Sequence, residues 1–358
     1  MVVSIAHLAQ RGFSMITNSA TPWLRNGRLS AVAIATLVAA VGLSAMSGAR
    51  ASLTLNATGI ADGFSLTTYY SDPGATYGVL SLANGPGGFL YGAGYARGQL
   101  YKFNDVDGQA FGTQVATAPA GGSPTGIATV GGQVYVGRLG GDIFKVDASL
   151  GLTPIGILGN GIAFDYGLWG NPVNGHLIAS STSGLVDVNP SNGSWVQIGP
   201  AGVFVDGVTV SPDGKIAYGA YTGDQSIRGY SLVTPSPSTP VFNTGFLGHG
   251  PDGTGVISGG LFDGDIIVDN NDGTLGLINH VTGVETIIAG SGSRGDLVSP
   301  DLSNGTLLLT QYESVLRLSC GVGCSIGSPP PAVPEPMTWS MLGLGLVGLA
   351  VARRRKHS

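Results

Sequence analysis

From Ser52 to Ala332 apolar residues come in short runs that alternate with polar ones, and the three-to-four spacing of an amphipathic helix is absent. Turn signals bound the runs. Asp213-Gly214, Asn174-Gly175, Asp272-Gly273 and Asn304-Gly305 are pairs that favour hairpin tips, where both central residues take positive φ. The pattern predicts an all-β domain. It also repeats. First strands open at Gly78, Gly126, Gly167, Gly207, Gly255 and Asp296, at separations of 48, 41, 40, 48 and 41 residues. A second strand follows each, near Phe89, Gln133, His176, Lys215, Asp265 and Thr306. A third follows near Gln99, Asp142, Gly184, Ser226, Thr274 and Ser314. Fourth strands are clearest at Trp195-Val-Gln-Ile and Glu285-Thr-Ile-Ile. Six four-stranded units of this period predict a six-bladed β-propeller, in which stacking around an axis buries faces that no blade buries alone. The ring must close, and either Ser52–Asn56 or Gly63–Thr67 supplies the missing strand.

The pattern changes at both ends. Arg25 and Arg28 precede an apolar stretch, Leu29–Ala45, followed by Ala49-Arg50-Ala51. That order predicts a secretory signal peptide cleaved after Ala51, with Met15 an alternative start. At the other end a stiff spacer, Pro329-Pro330-Pro331, leads to Val333-Pro334-Glu335-Pro336. Then come the uncharged residues Met337–Ala352 and the cations Arg353-Arg354-Arg355-Lys356. A helix over the apolar run reaches about 24 Å, close to the thickness of a bilayer core. Trp339 suits the interface, and the cations stay cytoplasmic. The expected divisions are a signal region 1–51, a propeller 52–319, a Cys-loop and Pro-rich linker 320–332, and a sorting signal 333–358.

This order of Pro-Glu-Pro, apolar helix and Arg-rich end resembles the PEP-CTERM sorting domain of exopolysaccharide-producing Gram-negative bacteria. The resemblance rests on Val333, Pro334, Glu335, Pro336, Arg353, Arg354 and Arg355. It implies export by the secretion machinery, transient anchoring in the membrane, and cleavage by an exosortase near the motif. The product is then released to the cell surface or the extracellular matrix of a biofilm.

Charge sharpens the picture. The whole chain carries −5, but both ends are basic. Between Ser52 and Ala332 there are 8 Lys and Arg against 20 Asp and Glu, a net −12. Such a surface repels phosphate backbones and excludes nucleic acid as a partner. Most of the acids are Asp beside turn residues, where turn chemistry is the simpler reading. Cys320 and Cys324, separated by Gly-Val-Gly, suit a local disulfide in an oxidising compartment.

The line Asp206-Gly-Val-Thr-Val-Ser-Pro-Asp-Gly-Lys-Ile-Ala-Tyr resembles the blade motif of NHL-type and gluconolactonase/regucalcin-like propellers. For the lactonase-like members the resemblance implies an axial divalent metal bound by acidic and Asn side chains. This chain departs from that set. Asp206 stands in place of the Asn, and the position of a following Asp falls near Ala220-Tyr221. Asp165 and Asp206, each just before a first strand, are candidates for an axial cation or polar ligand; the alternative is bonding to nearby backbone N–H groups. Asp269, Asn271 and Asp272 form a weak calcium candidate, and Asn104–Gly108 is a similar loop; neither has the distal Glu of an EF-hand. His176, His249 and His280 are scattered, and no Gly-x-Ser-x-Gly elbow exists. No cofactor is expected beyond that calcium. The reading is a non-catalytic propeller that binds polysaccharide or an envelope protein. A metal-dependent lactonase or hydrolase and a purely structural surface protein are the alternatives.

Overall fold

The computed structural model of the chain describes residues 52–321 and 324–326. The signal peptide, the proline spacer and the sorting tail lie outside these residues. Six sheets stand around an axis. Their innermost strands are Ser81–Gly85 (blade 1), Pro124–Val130 (blade 2), Phe164–Gly170 (blade 3), Val208–Val210 (blade 4), Pro251–Ser258 (blade 5) and Gly295–Asp301 (blade 6). In blades 1 to 5 three antiparallel neighbours follow outward in chain order, so each is a meander; blade 6 has two such neighbours and takes its fourth strand from the beginning of the chain. Among the described residues the only α-helix is Ala57–Ala61, and none is long and apolar enough to cross a membrane.

Blade faces meet in apolar layers. Ala128, Tyr135 and Ile143 of blade 2 pack on Phe164, Leu177 and Val186 of blade 3, all of them buried. The innermost strands are buried on both sides, which is why their sequences read as near-continuous apolar and small residues. At the axis, glycine lets neighbouring backbones touch. A Cβ on Gly126, Gly167, Gly207 or Gly253 would lie 2.5, 2.4, 2.2 or 2.3 Å from the carbonyl oxygen of Tyr166, Asp206, Asp252 or Asp296 respectively. Those four residues therefore hold one equivalent position in blades 3 to 6. In blade 5 the equivalent glycine is Gly253. The expected repeat start at Gly255 is two residues late, because Gly255-Val-Ile-Ser imitates Gly207-Val-Thr-Val while the strand itself begins at Pro251.

Closure uses the chain's beginning. Ser65–Ser71 pairs antiparallel with Ser314–Ser319 and completes blade 6, with Ser65 opposite Ser319. Of the two candidate closing segments it is therefore the second that shuts the ring. The first, as Thr54–Leu55, adds an outer strand to blade 5 beside Glu285–Gly290. After blade 6 a disulfide joins Cys320 to Cys324, with Cα atoms 5.7 Å apart. The chain then lays Ser325–Ile326 against Ile257 and Ser258, on the free edge of the innermost strand of blade 5.

Candidate metal and ligand site at the axial mouth

The innermost strands all begin at one end of the ring, and there the equivalent positions bring Asp206, Asp252 and Asp296 together. One carboxylate oxygen from each lies within 4.8 Å of the other two. All three residues are buried, Asp252 completely. Three negative charges this close and this dry repel one another. Burial first, and the neighbouring carboxylates after it, push Asp252 well above the ordinary carboxyl range. Desolvation raises Asp296 to about 8 and Asp206 to about 6.

Among the described residues one cation faces them. Arg294 lies in the loop before blade 6 and places Nη2 3.4 Å from Asp252 Oδ2. Its other groups point elsewhere: Nη1 donates to Tyr77 Oη at 2.6 Å and Nε donates to Asn271 Oδ1. Burial opposes its charge, yet Asp252, Tyr77 and Asp296 outweigh that and raise its pKa. With the acids ionised, Asp252 Oδ1 is buried with no donor among the described residues, and only a proton shared with Asp206 links the two carboxyl groups. A buried carboxylate oxygen without a partner is costly, and native proteins keep few of them.

Above the acids opens a cavity of 560 Å³, walled by Tyr77, Tyr95, Tyr166 and Phe204. Tyr77 packs edge-on against Tyr95 and Tyr312, and Tyr166 edge-on against Phe204. Tyr77 holds φ at 57°, a left-handed conformation that non-glycine residues seldom adopt and that turns this residue toward Arg294.

The oxygen set fits a hard cation. Calcium takes oxygen ligands at roughly 2.3–2.6 Å, so oxygens on opposite sides of it stand about 5 Å apart. Three carboxylates against one guanidinium leave two uncompensated charges. Two protons or one divalent cation balance them.

Of the residues singled out from sequence, Asp206 belongs to this cluster. Asp165 does not: it stands one residue before the equivalent position, which Tyr166 occupies, and is half-buried with its carboxyl raised by desolvation. The oxygens of the Asp269–Gly273 loop diverge. Asp269 turns inward to Gln311 Nε2 at 3.2 Å, Asn271 meets Arg294, and Asp272 meets His249 Nδ1 at 2.7 Å. In the Asn104–Gly108 loop, Asp105 and Asp107 are held by Arg317 at 2.6 and 2.8 Å. Sequence reasoning missed Asp252 and Arg294, and it read Asp296 only as the start of a strand.

Known proteins bear on both parts of the chain. Residues 332–356 match the PEP-CTERM protein-sorting motif. The chain carries an export and sorting signal. That motif marks proteins exported and processed by exosortase to the cell surface or extracellular space. No curated protein sequence matches the chain significantly. Solved structures share the fold. A gluconolactonase from Xanthomonas campestris is 14% identical with a TM-score of 0.58, over 75% of this chain and 94% of that one. A calcium-binding regucalcin from Agrobacterium tumefaciens is 14% identical with a TM-score of 0.56, over 74% and 98%. An auxiliary nutrient-binding protein from Bacteroides thetaiotaomicron is 13% identical with a TM-score of 0.54, over 72% and 76%. At such identities the likeness establishes the six-bladed architecture and nothing finer.

Proposed function

We propose that the exported propeller is a binding protein whose axial mouth holds a divalent cation, calcium by its ligand chemistry, between Asp206, Asp252 and Asp296. Through that cation and the aromatic wall it takes an oxygen-rich extracellular ligand, a polysaccharide of the surrounding matrix. The unpartnered, fully buried Asp252 Oδ1 among converging carboxylates carries this reading. A bound cation would satisfy that oxygen and leave open positions toward the cavity for ligand hydroxyls. Tyr77, Tyr95, Tyr166 and Phe204 offer the apolar faces on which sugar rings pack. Exosortase cleavage near Pro334-Glu335-Pro336 and signal cleavage after Ala51 leave the acidic propeller as the mature product.

Calorimetric titration of the exported protein with calcium tests the metal half. We expect a dissociation constant in the range of roughly 10⁻⁴–10⁻³ M typical of extracellular calcium modules. Retention on the host's own polysaccharide, with and without chelator, tests the ligand half. Calcium binding with no chelator-sensitive retention ends the polysaccharide reading and turns attention to envelope proteins.

A hydrolytic reading has one observation in its favour. Carboxyls held near 6 and 8 in one mouth form an acid–base pair poised around neutrality. A lactone and ester panel run with calcium, manganese and zinc decides it, and absence of turnover with every metal removes it.

A further inference from the structure

The ring has a second mouth, where the innermost strands end, and its chemistry is the reverse of the first. A cavity of 370 Å³ there is lined by Leu82, Leu168, Trp169, Pro212, Pro300 and Leu302, among others. Its two polar side chains are already engaged. Asn84 donates to Asp301 Oδ1 at 2.8 Å, and Thr129 donates to the Asn84 carbonyl. Blades 1, 2, 3, 4 and 6 contribute to the described lining; blade 5 does not. Its place is the one beside which Ser325–Ile326 is laid, paired with Ile257 and Ser258. Pro212 and Leu302, from the blades on either side of blade 5, both border the cavity. The described chain thus ends at the rim of an apolar opening.

The next residues are Gly327-Ser328-Pro329-Pro330-Pro331-Ala332-Val333, with no charge before Glu335. We propose that this proline-rich segment seats in the apolar mouth of its own propeller. Prolines carry no N–H, so a site whose polar side chains are already bonded need supply no acceptor for them. A polyproline helix is extended before it binds and loses little entropy on docking, and aromatic-lined grooves are its usual receptors. At about 3.1 Å per residue the seven residues reach about 22 Å, enough to cross the opening from the edge of blade 5. The seated linker leaves Pro334-Glu335-Pro336 at the rim, so the folded domain itself controls how the sorting motif is presented. It also puts the linker at the end of the ring opposite the acidic mouth. This inference is independent of what the acidic mouth binds.

The test uses the full chain in detergent with a photo-reactive side chain in place of Leu302. That residue is 42% exposed and its replacement leaves the core intact. We expect crosslinks within the same molecule to the peptide spanning 327–334, located by mass spectrometry. Replacing Pro329, Pro330 and Pro331 together by Gly lowers that yield by about tenfold, because each Pro→Gly change restores chain freedom lost on docking. Crosslinks only to a second copy, only to detergent or lipid, or to no peptide overturn the proposal. An unchanged yield in the triple-glycine variant overturns it too. A probe in place of Phe204, in the acidic mouth, must give no crosslink to the linker.

Discussion

Two clusters of three aspartates and one arginine stand among the described residues, and they behave as opposites. In the first, Arg317 of blade 6 reaches Asp105 at 2.6 Å, Asp107 at 2.8 Å and also Asp301. Burial works against its charge, but those three bonds raise its pKa. Asp301 is correspondingly lowered, since its hydrogen bonds to Asn84, Ser303 and Arg317 overcome its desolvation. In the second, Arg294 reaches a single carboxylate at 3.4 Å, and all three acids are raised. The first cluster has its cation built in and rivets blade 6 to the Asn104–Gly108 loop of blade 1. The second is short of positive charge. Residue composition is the same in both, so bond count and direction decide which cluster is structure and which is a site.

The largest expected effect breaks the first cluster. Arg317→Met leaves buried Asp301 without its cation and costs about 3–5 kcal/mol, lowering the melting temperature by about 10 °C. Arg294→Met, at a side chain 39% exposed, costs about 1 kcal/mol or less. Equal losses in urea or thermal unfolding would erase the distinction between the two clusters.

Next is Asp252→Asn. It keeps an amide oxygen but removes one ligand charge, which is also one of the repelling charges, so calcium affinity falls roughly tenfold to a hundredfold while the cation-free protein melts at the same temperature or higher. Calorimetric titration and a melting curve on one sample measure both. A drop in stability without calcium would mark Asp252 as structural.

The pH dependence separates the clusters with a smaller signal. Asp206 and Asp296 stand at about 6 and 8 in the fold against an ordinary 3.8. Between those values the folded, cation-free chain holds more protons than the unfolded one, so its stability falls as pH rises from about 4 to about 8. Saturating calcium displaces the protons and flattens the upper part of that fall. A melting temperature that rises steadily across the window would contradict the assignment.

The smallest effect is that of Tyr77→Phe, which removes an acceptor from Arg294 and should change stability by about 1 kcal/mol at most. It is read best as a change in affinity for a ligand in the mouth.

The architecture was legible because hairpin pairs and alternating runs recur at a nearly constant period. Asp206 was legible because it opens a regular blade motif. Asp252 was hidden by a second glycine: Gly255-Val-Ile-Ser imitates Gly207-Val-Thr-Val, and aligning the two slipped the fifth repeat by two residues and put Asp252 outside the pattern. The signal was present, since an Asp-Gly pair stands at 206–207 and again at 252–253. Asp165 misled by one position, because Tyr166 and not an acid directly precedes the axial glycine of blade 3. The Asp269–Gly273 loop has the composition of a calcium loop, but Asp269 is the fourth residue of Ile266–Asn270, a strand buried along its whole length, and points to Gln311. Arg294 lies in a connection without periodicity, and only the folded ring shows what it faces.

The strand that closes the ring has a consequence in time. The Ser65 and Ser319 hydroxyls sit 2.8 Å apart although 254 residues separate them along the chain. A chain crossing a membrane N-terminus first delivers Ser65–Ser71 early, and until Ser314–Ser319 arrives this strand has only the short parallel pairing with Gln109–Ala110. Blades 1 to 5 assemble meanwhile as an open arc with unpaired edges, exposed to proteases and to other chains. A chain truncated before residue 314 never leaves that state. Completion of the circle is therefore a late event that records delivery of nearly the whole domain.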